Sequence, residues 1–256
     1  EISCSLVGSE MCIRDRQQID TLLGELNQYR ANENYRITEA LEIEYTYDSN
    51  RIEGNTLTLH ETDMVVNKGI TIAGKGLREH LEAINHKEAI DFIKDVAQKK
   101  EPISERVLLD IHAIVLHSID KDNAGKCRRV PVIISGSKHI PPQPYLLQPK
   151  MDELFQWYEA NKDSMHPVVL AAQMHEKLVS VHPFIDGNGR TARLLMNLIL
   201  MQHGYPIANI KGDNETRRRY YETLEEASSG DNSAFVEFIE DVVIQSLTYY
   251  LKIIRG

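Results

Sequence analysis

Cysteine is sparse in this 256-residue sequence: three residues, Cys4, Cys12 and Cys127, with no Cys-x-x-Cys pair. That scarcity argues against a disulfide framework and fits a reducing, cytoplasmic compartment. No apolar run reaches the ~18 residues needed to cross a bilayer, so no transmembrane segment is expected. Positive charge is in the minority: 29 Lys and Arg stand against 38 Asp and Glu, a formal net charge of -9. Nucleic acid and anionic membranes need a basic surface, so neither is expected as the main partner, although a local basic pocket is compatible with this balance. No repeat, low-complexity tract or linker interrupts the chain after residue 17. What is present is ordinary for a soluble globular protein, 42% hydrophobic and 26% charged. A chain of this length can bury a core without disulfides or metals.

Residues 1–16, "EISCSLVGSEMCIRDR", show no period that continues into the next segment and lack the basic start and long apolar run of a signal peptide. They read as a non-native or disordered tail, and residues 17–256 are expected to form a single domain. Apolar residues there recur at helical spacing. Ile84, Ile90, Ile93 and Val96 mark a helix from about Glu79 to Lys99. Ser104 offers an N-cap to the next helix, and Pro167 suits the first turn of another. Pro183 stops that helix, Gly204 and Pro206 end the one after it, and Gly230-Asp231 breaks the last two apart. Strand-like alternation appears once, in "RRVPVIISGSKHIPP". The expected fold is all-α, with a single β-hairpin.

The chemistry is concentrated in "HPFIDGNGRTAR", His182 to Arg193. This tight polar loop joins two helices, the second starting near Gly189 or Arg190. A helix N-terminus presents free N–H groups and a positive dipole end, and glycines let a ligand approach the backbone, so the loop is an anion site. Arg190 and Arg193, three apart, are expected to share the helix face beside it. Two guanidinium groups next to free N–H groups suit a polyphosphate. Asp186 makes sense there as the holder of a divalent metal that bridges phosphates. His182 alone has an ordinary pKa suited to a general base near neutral pH. Phe184 anchors the loop in the core. Singly, a histidine beside proline reads as a helix end and Asp-Gly as a turn. Gathered in one loop, they read as a site for nucleotidyl or phosphoryl transfer.

The segment resembles, without a gap, the Fic family motif H-P-F-x-D/E-G-N-G-R-x-x-R, and the similarity extends over roughly residues 36 to 255 through "GYP", "RRRYYETL" and "FVEFIEDVV". The resemblance implies a Fic-type helical bundle that transfers AMP from ATP to a side-chain hydroxyl of a protein. His182 would be the base, and Asp186 would hold Mg²⁺. Gly187, Asn188 and Gly189 would form the anion hole, with Thr191 in the same ATP-binding stretch. Arg190 and Arg193 would bind the β- and γ-phosphates. The expected hairpin would be the family's flap, covering ATP with Ile134, Ser135, Gly136, Ser137, Lys138 and His139 and docking an extended target by strand addition. Adenine would lie near Tyr220 and Tyr221, one stacking while the other packs in the core. Related proteins often carry Asn about seven residues beyond that pair; here Ser228 takes the place.

A second cluster, "SNRIEGN", matches the family's inhibitory pattern. Ser49 and Glu53, four apart, share a face of a helix near 44–54, and Gly54 ends it. Glu53 would occupy Arg193 and keep it from the γ-phosphate. By spacing alone, an exposed helix end with a weak ion pair is an equally good reading. Two other functions stay open: the same site removing AMP or transferring another phosphate-containing group, and a non-catalytic interaction module. The target, self-modification and a homodimer are likewise open.

Overall fold

The computed structural model describes residues 2–255, with side chains from Asp15 onward except that of Asn32. The helices in chain order are α1 (Ile2–Tyr29), α2 (Tyr35–Ile52), α3 (Leu59–Lys68), α4 (Leu77–Gln98), α5 (Glu105–Leu116), α6 (Leu147–Asn161), α7 (Pro167–Val181), α8 (Asn188–Gln202), α9 (Asn214–Ser228) and α10 (Ser233–Arg255). Their ends follow the local signals. Asn34 accepts hydrogen bonds from the N–H groups of Arg36 and Ile37 at the start of α2, and Thr58 and Glu61 cap α3 reciprocally. Ser104 caps α5, Pro167 opens α7, and Asp213 caps α9. Gly54, at φ +97°, lies just beyond the end of α2.

Helix α8 is the axis of the fold. Every residue from Arg190 to Leu200 is buried, so this helix is enclosed on all sides, by α7, α4, α5 and α2. Helix α10 packs on α7, α9 and α1; α6 lies on α7; and α3 lies on α2 and α4. Helix α1 runs without a break through residue 16, where the sequence pattern placed a boundary, and Arg16 Nε donates to Glu240 Oε1 at 2.7 Å. Cys127 carries a free thiol; the side chains of Cys4 and Cys12 lie outside the described residues. No helix among the described residues is long and apolar enough to cross a membrane.

The expected β-hairpin is not formed. Among the described residues there is no strand, and 127–143 are two extended arms about a turn at Ser135-Gly136, closed by Ser137 N–H donating to Ile134 O at 3.2 Å. A hairpin needs a ladder of main-chain donors and acceptors. Pro131, Pro141 and Pro142 have no N–H to give. The carbonyls of Val130 and Pro142 accept from Arg128 at 3.0 and 2.6 Å, and the Lys138 N–H donates to Glu225 Oε1 at 2.8 Å. The arms are held by side chains, not by each other.

Because α8 is enclosed, Leu195, fully buried at its centre, has no solvent to collapse toward. Leu195→Ala is expected to lower unfolding free energy by about 2–5 kcal/mol, read from chemical denaturation midpoints at an unchanged m-value.

Candidate active site

The loop between α7 and α8 is fixed residue by residue. His182 ends α7 in the left-handed conformation, φ 48° and ψ 58°, and its N–H donates to Leu178 O. Asn188 Oδ1 accepts from the Phe184 N–H at 3.0 Å and its Nδ2 donates to the Phe184 carbonyl at 2.9 Å, closing the loop with a side chain. Phe184 is buried, as expected, and stacks on the His112 ring with centroids 3.6 Å apart. His112 Nδ1 accepts from the Gly125 N–H, so its Nε2–H donates to the Asp186 carbonyl at 3.0 Å. Burial pushes the His112 pKa down to about 4, which keeps that neutral tautomer in place.

Arg128 ties this loop to the extended arms. It is buried, has no carboxylate partner, and donates to the carbonyls of His182 (2.8 Å), Val130 and Pro142. The turn is anchored at its other end: Ser137 Oγ and the Lys138 N–H donate to Glu225, and His139 Nε2–H donates to Ser180 O at 2.7 Å. Burial holds the His182 imidazole below the ordinary histidine range, and the Arg128 charge pushes the same way. The ring is therefore unprotonated at neutral pH and able to accept a proton.

A cleft of about 570 Å³ brings these parts together, within the range of small-ligand sites. It is lined by Ile134, Ser135, Gly136, Ser137, His139, His182, Asn188, Gly189, Tyr220, Tyr221, Ser228 and Glu53. Lys138 contributes only its N–H, to Glu225. The two tyrosines divide as expected: Tyr220 is buried among His175, Phe235 and Phe238, while Tyr221 is exposed and donates its hydroxyl to Ile52 O at 3.2 Å. Ser228 Oγ is engaged by the Glu225 carbonyl.

Glu53 stands at the N-terminus of α8. Its carboxylate stands over Gly189 at the start of α8, where a Cβ on that glycine would collide with it. Arg193 NH2 donates to Glu53 Oε1 at 2.7 Å and to Ser49 O at 2.9 Å; Nε donates to Ser49 Oγ at 3.0 Å and NH1 to Tyr220 Oη at 3.3 Å. Arg193 has no exposed surface. Burial alone would lower its pKa, yet the Glu53 carboxylate holds it above the ordinary range. A carboxylate at the C-terminal end of α2 opposes that helix's own dipole; it is favourable at the N-terminus of α8.

The two arginines do not act together. Arg190 is buried and turned toward α4, with NH2 3.1 Å from Asp186 Oδ1 and NH1 3.5 Å from Glu82. Asp186 also accepts from the Gly187 N–H at 2.6 Å and from Arg78, which α4 supplies at the rim. Burial raises the Asp186 pKa, but Arg190, Gly187 and Arg78 outweigh it and hold the carboxyl below its ordinary value. Thr191 is fully buried, and its hydroxyl has no partner. Among the described residues, no group of three or more His, Cys, Asp and Glu is placed to hold a metal by itself. Sequence reasoning missed Arg128, His112, Glu225 and Arg78. The only local hint was a histidine on the apolar face of α5, which reads first as a core residue.

The Fic/DOC family profile matches residues 102–200. The chain is 40% identical over 211 residues to Protein adenylyltransferase Fic of Culex quinquefasciatus, covering 82% of this chain and 41% of the relative. A substituted form of Fic-1 from C. elegans superposes at a TM-score of 0.86 with 31% identity, covering 97% of this chain and 74% of that one. A Fic domain containing signaling protein from Bacteroides thetaiotaomicron superposes at 0.84 with 29% identity, covering 94% and 97%. The chain spans less than half the length of the curated relatives it matches.

The aromatic wall behind Arg193 carries a pH dependence. His175 is fully buried and bonded to Tyr220 Oη at 3.0 Å, and burial pushes its pKa down to about 3. The unfolded chain therefore takes up this proton first, near pH 6.5, and stability falls as pH drops from there toward 3. His175→Gln is expected to remove about 2 kcal/mol of the stability difference between pH 7.5 and pH 5. Urea midpoints of parent and variant at both pH values measure it.

Proposed function

The chain belongs to the Fic family, and we propose that it transfers AMP from ATP to a Ser, Thr or Tyr hydroxyl of a protein, itself included, with Glu53 holding the resting enzyme off. The observation that carries this reading is one cleft lined by His182, whose imidazole is held below the ordinary histidine range, by the N-terminus of α8 at Asn188 and Gly189, and by Glu53, which already claims the buried Arg193 behind it. His182 accepts the proton of the target hydroxyl, whose oxygen then attacks the α-phosphorus; the bond to the β-phosphate oxygen breaks and pyrophosphate leaves. The N–H groups at Asn188 and Gly189 face the phosphate oxygens where charge develops. The exposed ring of Tyr221 is the stacking surface for adenine, while Tyr220 shapes the wall behind it.

Asp186 suits Mg²⁺ that arrives with phosphate: a magnesium ion takes one or two carboxylates and completes its shell with phosphate oxygens and water. Arg78 is largely exposed, so it has room to leave that carboxylate. When bound, the ion neutralises phosphate charge. Arg190 holds Asp186 in place. The target docks along the arms, where Ile133 and Ile140 are 92% and 81% exposed. Unpaired main-chain groups there remain available to an extended segment, although no hairpin precedes it. The sparse cysteine fits a cytoplasmic setting.

One observation favours a second activity: Glu53 lines the cleft and is a third exposed, so it is placed to orient a water for AMP removal. Incubation of an AMP-modified protein with the parent chain, read by intact mass, separates removal from transfer.

Two outcomes are expected in an assay with labelled ATP, Mg²⁺ and cell lysate. His182→Ala loses ~10²–10⁴-fold in AMP transfer while binding ATP as its background does; unchanged labelling removes His182 from the reaction. Glu53→Gly labels protein strongly where the parent labels little, and adding Arg193→Ala cancels the gain. A Glu53→Gly chain no more active than the parent at saturating ATP and Mg²⁺ ends the self-inhibition reading.

A further inference from the structure

Asp48 precedes Ser49 on α2 and touches nothing in the cleft. It is nevertheless buried, and each oxygen is engaged by one loop, the segment 204–213 between α8 and α9. Oδ2 accepts from Asn209 Nδ2 at 2.8 Å and Lys211 Nζ at 3.2 Å; Oδ1 accepts from the Gly212 N–H at 2.9 Å. The contact is close along the backbone as well. A Cβ on Gly212 would lie 2.9 Å from both the Asp48 carbonyl oxygen and Arg51 Cβ. The loop is itself tied to α8 one turn beyond Arg193: Asn197 Oδ1 accepts from the Ala208 N–H at 2.8 Å, and its Nδ2 donates to Ala208 O and to Arg193 O, both at 3.1 Å. Asn209 N–H donates to Ser246 Oγ of α10 at 3.1 Å.

The rest of the α2 seam explains why such a clasp matters. Where α2 faces the core, Thr46 Oγ1 and Asn50 Oδ1 are buried without partners among the described residues, and so are both ring nitrogens of His86 on α4. Buried polar atoms without partners weaken the adhesion of the surfaces that carry them. Glu53 is the C-cap of α2, one residue beyond Ile52, at a helix end where frayed turns are common.

We propose that Asp48 is the positioning residue of the built-in inhibitor: its clasp on the 209–212 loop sets the distance of Glu53 from Arg193. The clasp lies outside the nucleotide cleft, so the inhibitor can be loosened without altering any group that meets ATP. The proposal rests on the self-inhibition reading.

The test uses Asp48→Asn, which turns an N–H₂ toward donors, and Asn209→Ala, which weakens the clasp from the loop side. Each is made in the parent and in Glu53→Gly. Amide hydrogen exchange over 49–55 is expected to quicken about tenfold in both variants. AMP transfer is expected to rise about tenfold in the parent background and not at all in Glu53→Gly. Unchanged exchange in both variants overturns the clasp. So does a loss of transfer of equal size in the two backgrounds, which marks a purely structural role. Faster exchange with flat transfer, in a series where Glu53→Gly is also no more active than the parent, upholds the clasp and removes the self-inhibition reading instead.

Discussion

A guanidinium with no exposed surface is the constraint around which this protein is arranged. Taking a charge of that kind out of water costs several kcal/mol unless every donor is met. Arg193 is met from two helices: Ser49 and Glu53 at the end of α2 supply a hydroxyl, a carbonyl and a carboxylate, and Tyr220 of α9 supplies its hydroxyl. Tyr221, next in sequence, takes the carbonyl of Ile52. The end of α2 is therefore held by Tyr221 and Arg193 at once, with Tyr220 behind the arginine. Glu53 sits unfavourably for its own helix and favourably for the one it faces. That is the position of a group serving another element, not its own.

The loop between α7 and α8 is stiff for different reasons. His182 sits in a left-handed conformation that a non-glycine residue adopts at a cost of about 1–2 kcal/mol. Its surroundings impose it: Arg128 on its carbonyl, the enclosed Phe184 two residues on, and Asn188 closing the turn from the far side. His112 holds Asp186 by the backbone, leaving the carboxylate free to exchange partners. Backbone and side chain of the same residue are thus given separate tasks.

Much of this was legible in the sequence because it is local. Pro167, Ser104, Gly54 and the break at Gly230-Asp231 act on the residues beside them, and the helices stop and start where those signals stand. Ser49 and Glu53, four apart at the end of α2, both reach Arg193, and Phe184 anchors the loop between α7 and α8; these too follow from local spacing. The hairpin did not carry through. "VPVII" alternates like a strand, but prolines stand where the rungs belong and Arg128 takes the carbonyls. Arg190 and Arg193 are neighbours on a helix surface yet about 60° apart around its axis, from the period of 3.6 residues. In a helix enclosed on all sides that angle separates two interfaces, so one arginine faces α2 and the other α4. Arg128, His112 and Glu225 left no readable pattern, because what each does depends on carbonyls and amides brought from far along the chain.

Both feet of the arms and the carbonyl of His182 converge on the one side chain of Arg128. The tip is held separately, by Glu225 and by the carbonyl of Ser180, two residues before His182. What is left free to vary on the arms is the exposed part that neither lines the cleft nor makes one of these bonds, Ile133 and Ile140 above all. The arms are in this sense a bracket bolted at its feet and at its tip, with only the outward span between the bolts open to redecoration.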